Sequence, residues 1–456
     1  MHKPNTLHDP GVQQRLAALL RSTANDLKRP DGAADADLGL PAGTFARLVT
    51  GKTAVTWEVL TAAAAAWPVN TRDLLPLHDD TDRDVRICRR ADSLASSRTI
   101  ARAGRPYYEY QDTAMSRLAS YRPEWIRMLC TVDDNDAHNS AVQWNNGHLL
   151  YQLTYTVGPV NYYYQWNGRS YCVPMDTGDS VFGLPFSPHS FTSRAVGRSA
   201  YILALTYGGD LAGDPQRELA VLGGDAAQTL AFDAAEHGQA ALFSTFMRAR
   251  MLTPVELARH AGISPSRLDA LLAGKVTAVE SELHQLANTL RVNVRELLPV
   301  ICDAVGGGVV MQRAAMARRW YLGPAATPAY EIVQLAGDRL HPHTTAVELR
   351  PQLGKPAAQA WLSTYQHQYV YVLGDHPTQM MWESGCLHQT TLQQGDSVYV
   401  KPLVPVAFIG GGGLLVLRIG GAVRPDVRFA LGNMAKDGPT RYAEDTQLWY
   451  VPERND

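Results

Sequence analysis

Cysteine is scarce and scattered in this chain: Cys88, Cys130, Cys172, Cys302 and Cys386 form no C-x-x-C pair. Neither a disulfide framework nor a thiolate zinc site is indicated, and a reducing, cytoplasmic setting is the expectation. A long apolar run is also missing, and the opening MHKPNTLHDP lacks the apolar stretch of a secretory leader. No membrane association is therefore expected. Nor is there an excess of charge, since 42 Lys and Arg stand against 44 Asp and Glu for a net charge of -2. That balance gives no general attraction to nucleic acid or to anionic lipid. What the chain does have is length: its 456 residues suit roughly two to four domains with sizeable cores.

It also repeats itself. Residues 40–77 align without gaps on residues 263–300, with Gly51-Lys52 on Gly274-Lys275, Val69-Asn70 on Val292-Asn293, and Leu74-Leu75-Pro76 on Leu297-Leu298-Pro299. Each copy reads as short amphipathic helices broken at Gly-Lys, a small helix-turn-helix bundle. Each bundle is followed by a segment rich in Tyr, Val, Thr and Trp and punctuated by Gly and Pro. Gly178-Asp179-Ser180-Val181 leads to Pro188-His189-Ser190-Phe191 in the first, and Gly395-Asp396-Ser397-Val398 to Pro405-Val406-Ala407-Phe408 in the second. Both segments look like cupins, small double-sheet jelly rolls built as a double-stranded β-helix.

The fold class expected is thus α+β, a tandem repeat of helix-turn-helix-like α bundle plus cupin barrel. The boundaries are residues 1–80 and 216–303 for the bundles, 81–215 and 304–430 for the cupins, and 431–456 for a C-terminal tail.

The first cupin carries the chemistry. His148 and Gln152 lie four apart on one β-like run, so strand alternation turns both to one face, and His189 on a later run supplies a third donor. Two imidazoles and an oxygen donor with open positions suit a non-haem Fe(II) centre that binds a chelating substrate and O₂. Asp176, Asp179 and Glu109 compete with Gln152 as the oxygen donor, although Asp179 sits in a Gly-Asp turn that explains it without a metal. In the second copy His367 aligns with His148, while Tyr371 falls opposite Gln152 and Val406 opposite His189. A lone histidine cannot hold a catalytic metal, so His367 reads as a vestige.

The helix-turn-helix bundles raise a rival reading as a DNA-binding, ligand-sensing regulator. Residues 12–77 carry only seven Lys and Arg against six Asp and Glu, a weak footprint for phosphate contact. Nucleic acid is not an expected partner, and a homo-oligomer is compatible with the sequence. A metal-free cupin scaffold is the third reading.

Taken together, NNGH at Asn145 to His148, the R-x-G-x-x-x-Y-x-Y run from Arg102 to Tyr110, PHSF at Pro188 to Phe191 and the double repeat resemble a family. It is that of the phosphonate-cleaving non-haem iron oxygenases, 2-hydroxyethylphosphonate dioxygenase and methylphosphonate synthase. The resemblance spans nearly the whole chain. It implies that Arg102, Tyr110 and Asn145 hold the phosphonate group and that Lys28 reaches over the active site. It also implies oxidative C–C cleavage of 2-hydroxyethylphosphonate with Fe(II) and O₂ and with no added reductant. In the dioxygenases the carboxylate ligand lies six residues before the second histidine, which is Gly183 here. The glycine there and the glutamine at 152 resemble the synthase branch, implying methylphosphonate and carbon dioxide as products; hydroxymethylphosphonate and formate are the alternative.

Overall fold

The computed structural model describes residues 7, 9–119, 121–225, 238–299, 307–339, 341, 343–355, 357–420 and 425–453. Cys302 lies outside them, and the other four cysteines are free thiols. Among the described residues no helix is long and apolar enough to cross a membrane.

Two helical bundles alternate with two β units, as the repeat predicts. In the first bundle, helices Pro10–Asp26, Asp31–Asp37, Thr44–Val49 and Trp57–Ala66 close on Leu16, Leu20, Phe45, Leu60 and Trp67. In the second, Gly238–Ala249, Pro254–Ala261, Pro265–Leu272 and Glu280–Leu290 close on Phe243, Leu257, Leu268 and Leu286. Local signals set these boundaries. Thr253 and Glu256 form a reciprocal capping box at the start of Pro254–Ala261, and Gly262, at φ 66°, ends that helix in the left-handed region.

Each β unit is a seven-stranded antiparallel sheet facing a three-stranded one. The first large sheet runs in the order Val309–Gln312, Ser180–Gly183, Tyr151–Val157, Tyr201–Tyr207, Tyr121–Met128, Arg105–Asp112, Arg98–Arg102. Its small partner is His189–Ser193, Val160–Trp166, Arg169–Met175. The second large sheet runs Arg319–Leu322, Tyr330–Gln334, Thr344–Pro351, Leu414–Ile419, His367–Val372, Ser397–Val400, Val85–Cys88.

Two strands cross the boundaries expected from sequence. Val85–Cys88, expected in the first cupin, pairs with Ser397–Val400 of the second. Val309–Gln312, expected in the second, pairs with Ser180–Gly183 of the first. Each exchanged strand is pinned by the arginine that follows it. Arg89 binds Asp396 at 2.8 Å, and Arg313 binds Asp179 at 2.7 Å. The Gly-Asp-Ser turn found in both copies is therefore the receptor for the other unit's strand, which is why it repeats.

The large sheets pack against each other through their outer faces. Tyr121, Tyr151, Tyr155, Phe182 and Leu203 of the first meet Tyr369, Tyr371, Tyr399 and Leu417 of the second in one core. Burial stabilises by about 1.5–3 kcal/mol for each such side chain, so the two cupins form one body. The C-terminal segment is more than a tail. Tyr450–Val451 adds a parallel strand to Leu77–His78, and Val451 enters the core of the first bundle.

Candidate metal centre and anion cradle

A cavity of about 280 Å³ opens between the two sheets of the first cupin, lined by Arg102, Tyr110, Asn145, His148, Gln152 and His189 among others. Alternation along Tyr151–Val157 explains the inward turn of Gln152, because Tyr151, Leu153 and Tyr155 take the outer, inter-cupin face. His148 arrives by a different route from the one expected. It stands ahead of the strand, which begins at Tyr151, in a loop whose Gly147 has φ 72°. A Cβ on Gly147 would lie 2.5 Å from the Phe186 carbonyl carbon, so only glycine lets the loop close on that segment. His189 opens its strand as expected.

The hydrogen bonds around these three residues fix which atoms face the cavity. His148 Nδ1 lies 2.9 Å from the Leu150 carbonyl oxygen, and His189 Nδ1 lies 2.9 Å from that of Ser187. A carbonyl can only accept, so each ring carries a proton on Nδ1 and in its neutral form presents a bare Nε2 lone pair. Gln152 donates from Nε2 to Thr154 Oγ1 at 2.8 Å, which turns its Oε1 toward His148 Nε2 at 3.2 Å. Two lone pairs thus face each other with no proton between them. That contact repels unless a cation sits near it, and an outer-shell bond on each donor is how metal ligands are oriented.

Asn145 completes the set. Its Oδ1 accepts from the amides of His189 at 2.8 Å and Gly147 at 3.0 Å, leaving its Nδ2 to donate to His189 Nε2 at 3.0 Å. Burial pulls the His189 pKa down to about 4, which keeps the ring neutral. The residues present fit a divalent ion with imidazole and oxygen preference. Among the described residues no cluster of His, Cys, Asp and Glu offers a rival site. Asp179 is held by Arg313, Asp176 by Arg194 and Glu109 by Arg127.

The anion cradle lies beside His189. Arg102 is stacked over Tyr108 at 4.8 Å and Tyr107 at 5.3 Å, and it donates to the Gln143 carbonyl at 2.6 Å. These contacts hold the guanidinium in place. Tyr110 lines the same wall, and burial raises its pKa, so its hydroxyl remains a donor. Lys28 is not there. It is an exposed residue of the first bundle whose ammonium donates to the Asn25 carbonyl at 3.3 Å, because a left-handed turn, φ 58°, ends its helix. Sequence reasoning missed Arg122, Glu124 and Thr206, which also line the cavity. The signal was available: charged residues at 122 and 124 alternate with buried Tyr121, Pro123 and Trp125.

The second cupin corrects the expectation about His367. Gln152 pairs with Gly183 and Tyr155 with Ser180, whereas Gln368 pairs with Val400 and Tyr371 with Ser397. Because the two serines follow matching Gly-Asp turns, Gln368 is the counterpart of Gln152, and His367 that of Tyr151. His367 belongs to the outer face and donates to or accepts from Tyr399 Oη at 2.7 Å. Val406 does match His189, each opening its strand. In place of a metal, Arg418 Nε donates to Gln368 Oε1 at 3.0 Å. A half-buried guanidinium thus supplies positive charge beside that amide oxygen.

Known proteins resemble the chain in sequence and in fold. Residues 243–303 match the Cro/C1-type HTH DNA-binding domain family. Methylphosphonate synthase of Nitrosopumilus maritimus (strain SCM1) is 36% identical over 435 residues, covering 94% of each chain. The structure of Streptomyces albus HEPD with 2-hydroxyethylphosphonate and Fe(II) bound is 50% identical, covers 96% of this chain and 99% of that one, and has a TM-score of 0.88. PhpD with cadmium, at 21% identity and a TM-score of 0.71, shares the fold. The chain belongs to the family of methylphosphonate synthase and 2-hydroxyethylphosphonate dioxygenase.

Proposed function

We propose that this chain is a non-haem Fe(II) enzyme that uses O₂ to cleave the C1–C2 bond of 2-hydroxyethylphosphonate, releasing methylphosphonate and carbon dioxide or bicarbonate. The observation that carries the reading is the pair of facing lone pairs on His148 Nε2 and Gln152 Oε1, 3.2 Å apart. With His189 they would hold the iron, a ligand set with no formal negative charge. Bound iron supplies the centre at which substrate and O₂ meet and exchange electrons.

The protein's own work is binding and orientation. Arg102 offers a planar fork already ordered by Tyr107, Tyr108 and Gln143, so a phosphonate oxygen pair meets it at little entropic cost. Tyr110 adds a neutral donor. Asn145 Nδ2, which lies 3.0 Å from His189 Nε2, would turn to the phosphonate once that nitrogen binds metal. Lys28 could serve only from a neighbouring copy.

Catalysis is assigned to the first cupin, completed by the exchanged strand Val309–Gln312. The second cupin and the bundles serve as its frame. A DNA-reading role is disfavoured because Arg267, on the second bundle's third helix, is engaged by Glu282 at 2.7 Å. The phosphorus spectrum after aerobic incubation of enzyme, Fe(II) and 2-hydroxyethylphosphonate tests the reading. A methylphosphonate signal is expected, and unchanged substrate would overturn it. The 50% identity to HEPD favours a second reading, hydroxymethylphosphonate with formate, which the same spectrum distinguishes.

A further inference from the structure

The cavity carries a second guanidinium that the cradle does not use. Arg122 sits on the strand Tyr121–Met128, and strand register sets it relative to the candidate metal ligands. Gly183 pairs with Gln152, Gln152 with Thr206, and Thr206 with Arg122. Residues directly opposite in a sheet share a face, so these four form one inward row. Arg122 stands two strands from Gln152, about 10 Å at the usual inter-strand spacing, within reach of a long side chain extended toward the metal position.

Arg102 lies at the other end. It packs on Tyr108, which pairs with Met128, the last residue of the strand on which Arg122 is near the first. The two arginines therefore approach the metal position from opposite ends of the cavity. Their states differ as well. Arg102 is tied to Gln143 and two rings, whereas the Arg122 guanidinium makes no hydrogen bond or ion pair among the described residues. Its neighbour Glu124 is engaged by Arg98 at 3.4 Å.

A substrate with one anionic head does not need two forks so far apart. Its hydroxyl end is neutral. The products are different, as atom balance shows for either branch of the proposed reaction. 2-Hydroxyethylphosphonic acid plus O₂ equals hydroxymethylphosphonic acid plus formic acid, or methylphosphonic acid plus carbonic acid. In both, the carbon–carbon bond breaks and the substrate supplies all the electrons that reduce O₂; the second carbon leaves as formate in the first, and in the second as bicarbonate or as carbon dioxide and water, so formate and bicarbonate are small trigonal oxyanions that the site could meet. A planar guanidinium matches that group with two parallel hydrogen bonds.

We infer that Arg122 is the binding residue for the one-carbon co-product, holding a formate-like oxyanion at the end of the cavity opposite the phosphonate cradle. This rests on the C–C cleavage proposed above. Formate and bicarbonate are both planar at carbon with one negative charge and a pair of oxygens for the fork, so the site suits either, whereas carbon dioxide, linear and neutral, would not be held by it.

The test uses the full chain loaded with Fe(II). Turnover of 2-hydroxyethylphosphonate is measured with added sodium formate or sodium bicarbonate, against sodium chloride at equal ionic strength, in wild type, Arg122→Gln and Arg122→Lys. Formate should inhibit the wild type, and Arg122→Gln should need at least tenfold more of it. Arg122→Lys, which keeps the charge and loses the fork, should fall between them. KM for 2-hydroxyethylphosphonate should change less than twofold in Arg122→Gln while kcat falls. Unchanged formate inhibition in Arg122→Gln would overturn the inference, and so would a tenfold rise in KM, which would make Arg122 a second phosphonate arm. Should wild type not turn over 2-hydroxyethylphosphonate, the functional reading fails separately. Anaerobic calorimetry of formate with wild type and Arg122→Gln then decides the Arg122 site alone, equal binding by the two overturning it.

Discussion

At the scale of single residues, the most informative pair is Gln152 and Gly183, which are direct cross-strand partners. The two positions at which the family resemblance places the third ligand are thus cross-strand neighbours, so a donor at either one would reach the same point. A Cβ on Gly183 would meet nothing closer than Tyr162 Oη at 3.8 Å, so a side chain fits. Gln152→Ala should lose most Fe(II) affinity in an anaerobic titration, and adding Gly183→Glu should restore it. His189→Ala has no such rescue and should remain metal-free.

Arg102→Gln should raise KM for 2-hydroxyethylphosphonate at least tenfold, since the fork is lost while the fold around it persists. Unchanged KM would remove Arg102 from the cradle. In the second cupin, Gln368 is 2% exposed. Removing its partner by Arg418→Ala strands a buried carbonyl and should cost about 1–3 kcal/mol in urea denaturation.

At the scale of elements, the sequence made the two bundles and the two β segments readable, because periodicity, caps and Gly-Asp turns are local signals. The candidate metal donors stood out as residue types. Their geometry was only half readable: alternation predicts the inward Gln152, but His148 reaches the site through a Gly147 loop that no period reveals. The matching of His148 with His367 failed for a related reason. That loop has a different length in the second copy, so matching histidines in sequence fall on opposite faces of the sheet. Arg122 and Glu124 escaped notice because charges on a strand read as solvent-facing, whereas here they face a polar cavity.

Another element-scale feature is the junction of the C-terminal strand with the second cupin. Lys401 Nζ donates to Asp79 at 2.7 Å, and Tyr450 also donates to Asp79. Burial alone would raise the Asp79 pKa, but hydrogen bonds from Lys401, Thr81 and Tyr450 outweigh it and lower the value. A carboxyl depressed in the folded state stabilises above its unfolded pKa of about 3.9 and loses that contribution as pH falls through the lower folded value. The burial cost of the Lys401 ammonium is likewise outweighed by its partners, which raise its pKa. Its contribution is full below the unfolded value and lost as pH rises beyond it. At neutral pH both contributions stand. Denaturation midpoints measured from pH 6 to pH 3 should drop less steeply for Asp79→Asn than for wild type.

At the scale of the whole molecule, the two cupins are interdependent twice over, through a shared aromatic core and through exchanged edge strands. A polypeptide of residues 1–303 lacks the strand that completes the first sheet, and one of residues 304–456 lacks the strand that completes the second. Each half should be insoluble when produced alone, and co-production should recover a soluble complex, seen as co-elution in size-exclusion chromatography. Independent solubility of either half would show that the exchange contributes little.

The exchange also sets a timetable for the protein as it is made. Val85–Cys88 leaves the ribosome more than 300 residues before its pairing partner, Ser397–Val400. The first cupin waits for Val309–Gln312 in the same way, so its large sheet is completed only after the second bundle has emerged. Uptake of the proposed iron should therefore follow the synthesis of Val309–Gln312 rather than accompany the birth of the domain that would hold it.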